Sequence, residues 1–272
     1  MRVNACIVAY ENPLIMLKSA VDSVLNEKEY INKLYFIDNS PTDRLRNDLE
    51  EETAYIFTGE NLGFGKANNI AMQKSIDANV DYHLLVNPDI SFEKGVVEKL
   101  VAFMDLNPNV GLVTPKVLYP DGTTQHLCKL IPTPFDLIGR RFFGWGPFRA
   151  YVDERNRKYE MHDSCYEKVM DVPILSGSFM MIRTSILKEV GLFDARYFMY
   201  LEDFDLCRRI GEVSRTVFTP EVSVIHEYEK GSYFNRRLFM HHIVSAVKYF
   251  SKWGWFFDKK RDDANKKCLA QL

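Results

Sequence analysis

YIFTGENLGFGKANNIAMQKSIDANVDYHLLVNPDI, residues 55–90, decides how this chain folds. Its first four residues, Tyr55 to Thr58, make a short strand-like run, followed by a Gly-rich loop from Gly59 to Gly65. Ala67 to Ala78 reads as helix, and Tyr82 to Val86 is an apolar strand that stops at Asn87-Pro88. Strand, loop, helix and strand in that order predict two parallel strands joined by a crossover helix. Working upstream, Val3 to Ala9 is a buried-strand run, and Pro13 opens a helix whose Leu14, Leu17, Val21 and Val24 keep helical spacing. Leu34 to Ile37 is a further strand, closed by the loop signal Asp38-Asn39-Ser40-Pro41. Repetition of this unit predicts an α/β fold, a mainly parallel sheet with helices on both faces. Ligands of such sheets bind in loops after the carboxyl ends of the strands, where the polar clusters of this chain fall.

Downstream the pattern changes. Residues 127–170 are rich in Pro, aromatics and Arg and predict a long irregular excursion; regular signals resume at Val172. After Ser232 the sequence predicts a helix to about Phe257, with Phe239, Ile243, Ala246, Val247 and Phe250 on one stripe. The expected organisation is one domain over 1–225 and a helical, basic and aromatic appendage over 226–272.

A net charge of −2 gives no reason to expect nucleic acid as a partner. The appendage, by contrast, carries ten Lys/Arg against five Asp/Glu, which suits an anionic surface. The opening MRVNACIVAYENP lacks the apolar length of a signal peptide. No stretch approaches the ~20 apolar residues that span a bilayer. Five scattered cysteines without a CxxC read as reduced thiols. These features predict a cytoplasmic protein, soluble or peripheral on the inner face of the cell membrane.

Four clusters can carry chemistry. Asn87-Pro88-Asp89 puts a carboxylate at a strand end, where it can hold a divalent cation that grips a diphosphate; an Asp after Pro also serves as a plain turn or helix cap. Glu202, Asp203 and Asp205 crowd three carboxylates into four positions. They suit a general base near a metal-bound diphosphate, or equally an acidic first helical turn satisfying the helix dipole. The loop from Asn61 through Gly63 and Lys66 to Asn68 brings backbone N–H groups to a helix start, where anions are favoured, and matches neither a P-loop nor a dinucleotide fingerprint. His226, after the apolar run Val222 to Ile225, either ligates the metal or diphosphate or is a satisfied structural histidine.

In order and spacing these pieces resemble family 2 glycosyltransferases of the bacterial polysaccharide type. The resemblance rests on VAYENP near the start, DNSP at 38–41, ENLGFGKANN at 60–69, LLVNPDI at 84–90, LSGSFMMIRTSILKEVGLFDARYFMYLEDFDLCRR at 175–209 and IHEYEKGSYF at 225–234. Within the family the chain is most similar to O-antigen and cell-wall rhamnosyltransferases. The resemblance implies a GT-A fold, with the nucleotide-binding sheet in the first domain, and an inverting transfer. It implies that Tyr10 stacks near the nucleotide base, that Asp38 bonds base or ribose, and that Asn61, Gly63, Lys66 and Asn68 line the nucleotide-sugar pocket. Asn87-Pro88-Asp89 stands where the family commonly has Asp-x-Asp, which leaves Asp89 as the one carboxylate and implies a weaker Mg2+ or Mn2+ site, completed by His226. Gly177 and Ser178 are implied on the acceptor side, Asp203 as general base, and Glu202 or Asp205 in positioning it or the sugar.

The donor implied is dTDP-L-rhamnose, and the acceptor a polysaccharide or a polyprenyl-diphosphate-linked sugar. Alternatives are a UDP-hexose or UDP-galactofuranose donor in the same fold, or a non-catalytic nucleotide-sugar-binding scaffold of an assembly complex. GRRFFGWGPFR at 139–149 and YFSKWGWFFDKKR at 249–261 mix aromatics with Lys/Arg and suit either contact with anionic lipid or packing of helix on core.

Overall fold

A computed structural model of the chain describes residues 2–139, 148–227 and 236–272. Most of GRRFFGWGPFR, and the Tyr228 to Phe234 part of IHEYEKGSYF, lie outside the described residues. The first half follows the alternation read from sequence. β1 (Val3–Ala9) leads to α1 (Leu14–Leu25), β2 (Ile31–Asp38), the short α2 (Arg46–Leu49), β3 (Ala54–Phe57), α3 (Phe64–Asp77) and β4 (Tyr82–Val86). β3, β2, β1 and β4 pair in parallel in that spatial order, with Ala9 beside Asp38, Asp38 beside Phe57 and Ile7 beside Val86. That register aligns the carboxyl ends, so Tyr10, Asp38 and Asn87 emerge along one edge.

Period-two alternation sorts the two faces. Ala5, Ile7 and Ala9 of β1 face the core shared with Leu17 and Val21 of α1, while Cys6 packs with Ala67 and Ala71 of α3. α3 begins three residues earlier than expected and takes Phe64, Gly65 and Lys66 into its first turn.

The second half contains β5 (Ile90–Ser91), α4 (Val96–Leu106), β6 (Val110–Leu118), a π-turn (Phe135–Gly139), α5 (Arg149–Tyr159), β7 (Met170–Asp171), β8 (Phe179–Arg183), α6 (Thr184–Val190), α7 (Glu202–Gly211) and β9 (Arg215–His226). The full strand order is β3-β2-β1-β4-β8-β6-β9-β5, with β7 on β9. β8 runs antiparallel between β4 and β6, and β5 and β7 run antiparallel to β9, so the whole sheet is mixed around a parallel core. The excursion is also more regular than expected, because Arg155 of α5 binds Asp136 of the π-turn at 2.6 Å and Thr133 at 2.8 Å.

The tail is two helices, α8 (Arg236–Trp253) and α9 (Lys259–Leu269), instead of one. Gly254 breaks the first with φ of 102°, and the Asp258 side chain caps the second by accepting from the Arg261 N–H. α8 buries Ser245, Ala246, Tyr249 and Phe250; Val247 of the expected stripe is 42% exposed.

Candidate functional site

α7 begins under strain. Tyr200 and Leu201 both adopt left-handed backbone, φ 70° and 68°, which costs residues with a Cβ about 1–3 kcal/mol each. The loop before them is pinned from two helices, α3 and α8. Asn69 of α3 clamps the backbone of Phe193 with two hydrogen bonds, and the Phe64 N–H donates to the Phe198 carbonyl at 3.0 Å. From α8, the Ser245 hydroxyl donates to the Met199 carbonyl at 2.8 Å and Lys248 to that of Arg196 at 2.6 Å. Gly63 belongs to the same clamp. Its φ is 82°, and a Cβ there would lie 2.1 Å from the Phe198 carbonyl oxygen.

The strained entry delivers Glu202 and Asp203. Asp203 Oδ2 accepts from the Gly177 N–H at 3.0 Å, and Oδ1 from the Phe204 N–H at 3.0 Å. A Cβ at position 177 would lie 3.2 Å from the Asp203 Cβ and 3.5 Å from the Phe64 ring, so a side chain here would press on Asp203. Burial pushes the Asp203 carboxyl above its ordinary range; the Gly177 N–H, the Lys129 ammonium and the Phe204 N–H pull it back. Glu202 is also raised, by burial first and then by the charge of Asp203, and its buried Oε2 has no hydrogen-bond partner among the described residues. Two adjacent carboxyls in a dry site hold one negative charge more readily than two.

Asp89 and His226, 137 positions apart, meet through the sheet. β5 lies against the end of β9 with Ile90 opposite His226, and the Glu227 N–H donates to the Asp89 carbonyl at 3.0 Å. His226 Nε2 then stands 3.3 Å from Asp89 Oδ2. Buried Gln125 orients the ring. Its Nε2 donates to the carbonyls of His226 at 2.8 Å and Leu118 at 3.3 Å, which turns Oε1 toward His226 Nδ1 at 3.0 Å. An amide oxygen only accepts, so Nδ1 carries the proton and the lone pair of Nε2 faces the carboxylate. Two acceptors facing each other call for a shared cation, a proton or a metal. Asn87 Oδ1 and Asp89 Oδ1 are buried beside them without a hydrogen-bond partner among the described residues. No group of three or more His, Cys, Asp or Glu is placed to hold a metal among those residues. A cation here takes one carboxylate and one imidazole from the protein and needs further oxygens from a ligand.

Gly177 and Ser178 join the two clusters. The Asn87 N–H donates to the Ser178 carbonyl at 2.8 Å, an extension of the β4–β8 pairing, while Gly177 holds Asp203.

The nucleotide-side residues divide. Tyr10 is 46% exposed at the end of β1 and presents its ring, and Lys66 projects from the first turn of α3. Asn61 accepts from the Gly63 N–H at 2.9 Å and from Asn39 Nδ2 at 3.1 Å, so it shapes the loop before α3. Asp38 is fully buried, with Oδ1 accepting from the Ser40 N–H and Oδ2 from the Tyr55 hydroxyl. It braces the β2 end and offers no free carboxylate at the surface. Asn68 is buried within α3 and donates to the Phe64 carbonyl at 3.0 Å, one turn back along the helix.

Asp205 leaves the cluster altogether. Two positions on from Asp203, it points to the opposite side of α7 and binds Arg209 at 2.9 Å, Lys252 at 2.5 Å and Trp253 Nε1 at 2.8 Å. Helical periodicity explains the correction, since adjacent acids on a helix cannot all face one site. Gln125 and Lys129 carry no local signal in the sequence, because each acts on a partner brought in by the fold, and Asn39 is legible only as part of the Asp38-Asn39-Ser40-Pro41 loop signal.

A model of the family described as "Glycosyl transferase family 2" matches residues 5–191. The N-acetylglucosaminyl-diphospho-decaprenol L-rhamnosyltransferase of Mycobacterium tuberculosis (strain ATCC 25618 / H37Rv) is 31% identical over 185 residues, 62% of this chain. The alignment spans 57% of that relative's length. Rhamnosyltransferase WbbL of Escherichia coli (strain K12) is 28% identical over 203 residues, 72% of each chain. Low-salt glycan biosynthesis hexosyltransferase Agl10 of Haloferax volcanii is 28% identical, covering 64% of this chain and 51% of its own. Among solved structures, GalNAc-T7 with UDP, GalNAc and Mn2+ superposes with a TM-score of 0.66 at 17% identity, over 97% of this chain and 55% of that one. S. aureus TarS superposes with a TM-score of 0.59 at 13% identity, over 99% of this chain and 43% of its own. At such identities the likeness is one of fold, and that fold is GT-A.

Proposed function

The chain belongs to glycosyl transferase family 2, and from that premise we propose an inverting transferase that moves L-rhamnose from dTDP-L-rhamnose to a hydroxyl of a lipid-linked or growing surface polysaccharide. The observation that carries the proposal is the Gly177–Ser178 junction. One residue holds the carboxylate of Asp203 and the next holds the turn of Asn87 and Asp89. Two consecutive residues thus tie the proposed base to the proposed diphosphate-binding turn, which supports their acting on one donor.

In this reading the diphosphate lies by Asp89 and His226, with the base of the nucleotide toward Tyr10 and the loop from Asn61 to Lys66. Mg2+ or Mn2+, held by Asp89 and His226, would supply positive charge for the leaving diphosphate. Asp203 takes the proton of the acceptor hydroxyl. The oxygen's electron pair forms the bond to the anomeric carbon as the bond to the diphosphate breaks, and that pair leaves on the diphosphate. A single displacement needs one carboxylate at the reacting carbon and inverts it. Asp203 later releases its proton to water.

The names of the mycobacterial and E. coli relatives support rhamnose as the sugar, and the mycobacterial name supports a polyprenyl-diphosphate acceptor. The Haloferax relative's name, a hexosyltransferase, supports a second reading with a UDP-hexose in the same site. An acceptor of that kind sits in a bilayer. We assign contact with anionic lipid to the C-terminal helices, where Phe256 and Phe257 stand exposed beside Lys259 and Lys260. No helix among the described residues is long and apolar enough to cross a membrane.

The test is thermal shift and nucleotide release with dTDP-L-rhamnose, UDP-glucose, UDP-galactose and UDP-GlcNAc, with and without Mn2+ or Mg2+. Metal-dependent stabilisation and slow hydrolysis with dTDP-L-rhamnose alone is the expected result. Response to a UDP-sugar alone overturns the rhamnose assignment, and silence with every donor overturns transfer itself.

A further inference from the structure

Lys129 lies in the segment between β6 and α5, outside every motif of the chain. Its backbone is fixed by a two-way bridge, the Lys129 N–H donating to the Ile174 carbonyl at 3.0 Å and the Ile174 N–H to that of Lys129 at 3.2 Å. That bridge sets it three residues from Gly177, which holds Asp203. The side chain crosses two rings, with Nζ 6.0 Å from the centroid of Tyr159 and 5.9 Å from that of Phe204, the residue after Asp203. Asp203 also has Glu202 beside it and the buried Cys207 thiol one turn along α7. The other cations on α7 are committed elsewhere, Arg208 to Asp258 at 2.8 Å and Arg209 to Asp205. Lys129, held over the ring of the residue after Asp203, is therefore the cation whose charge acts on Asp203.

Resting on the reading of Asp203 as the base, we infer that Lys129 is a positioning cation that settles the single negative charge of the Glu202–Asp203 pair on Asp203. Glu202 then keeps the proton. Without Lys129 the charge is shared with Glu202, and a larger fraction of Asp203 is protonated at neutral pH.

The experiment is the pH profile of nucleoside-diphosphate release from dTDP-L-rhamnose, repeated with UDP-glucose, for wild type, Lys129→Met, Lys129→Arg and Lys129→Met/Glu202→Gln. A base must be ionised to work, so losing an opposite charge moves the acid limb of Lys129→Met upward, by about one pH unit. The rate one unit below the wild-type midpoint then falls about tenfold, while the alkaline plateau changes little. Lys129→Arg keeps the wild-type limb, and adding Glu202→Gln brings the shifted limb back down. In protein labelled with 13C at the Asp carboxyl, the resonance missing from Asp203→Asn titrates higher in Lys129→Met, which reads the same effect without turnover. Should Lys129→Met fail to fold, Lys129→Gln carries the same comparison. An unmoved limb, or Met and Arg variants equally slow at every pH, overturns the inference while an inactive Asp203→Asn leaves the base intact. A fully active Asp203→Asn overturns the base, and the inference with it.

Discussion

Asp203 and Glu202 are neighbours on the first turn of α7, yet their surroundings give them different work. Asp203 has two backbone N–H donors and a facing ammonium; Glu202 is buried against Gly65 of α3 with an oxygen left unpartnered. Replacing the proposed base with an isostere should remove proton transfer and little else. Asp203→Asn is expected to slow transfer by about 10²–10⁴-fold while donor-induced stabilisation in a thermal-shift assay persists. Glu202 makes a different prediction. Its folded carboxyl holds the proton more tightly than the unfolded chain does. The stability this gives is fully present below the ordinary Glu value, near pH 4.3, and is lost as pH rises through the raised folded value. Glu202→Gln has no proton to lose. Its Tm relative to wild type should therefore climb across that window and level off above it, by roughly 2–4 °C per kcal/mol for a chain of this size. A Tm difference independent of pH would show that Glu202 is ionised in the folded protein.

At the scale of elements, Asp205 separates structure from chemistry. Its carboxylate is fully buried, pairs with Arg209 one turn along α7, and joins α7 to α8 through Lys252 and Trp253. Asp205→Asn leaves Arg209 without its counter-charge and Lys252 with Asp194 alone, so a loss at the lower end of about 3–5 kcal/mol is expected in denaturant unfolding. Donor turnover per folded molecule should stay near wild type, whereas a base or sugar contact at this position would lose turnover instead. The sequence motif could not separate Asp205 from Asp203, because the motif records spacing and the helix converts spacing into direction. The same limit explains which elements were legible. β1 to β4 and α1 announce themselves through local periodicity, and the Gly-rich loop and Asn87-Pro88-Asp89 fall at strand ends by counting alone. β8 cannot be recognised as antiparallel from Phe179 to Arg183, since its direction is set by pairing with strands about 70 to 100 positions away. Gln125 acquires its role only when β9 returns His226 from 101 positions away. Asp38 closes β2 and Asn68 lies in α3, and burial and hydrogen bonds that no motif records turn both inward.

At the scale of the whole molecule, the tail works on both of its faces. Inward, Tyr249, Phe250 and Trp253 pack on the α7 side of the core, Arg208 stacks on Trp253 at 4.1 Å and binds Asp258, and α8 pins the loop that carries Asp203. Outward, Met240, Val244 and Val247 are exposed at helical spacings of four and three, and the turn to α9 leaves Phe256 77% and Phe257 98% exposed. Arg236 and Arg237 open α8, and Lys259 and Lys260 open α9, all of them exposed. Exposed apolar side chains interleaved with cations suit an anionic interface, each Phe contributing up to about 1.5–3 kcal/mol when buried and each cation about 1 kcal/mol. The protein is thus expected to float with anionic liposomes at low salt, to release at high salt, and to ignore zwitterionic ones. Phe256→Ser/Phe257→Ser should weaken flotation at least tenfold while Tm and turnover of a water-soluble acceptor analogue hold, because neither ring supports the core. Turnover of a polyprenyl-linked acceptor in vesicles should then fall with binding. If the double variant floats as well as wild type, lipid contact does not run through this turn. If neither protein floats on any vesicle, the outward face serves another partner and the acceptor must be delivered to the enzyme off the membrane.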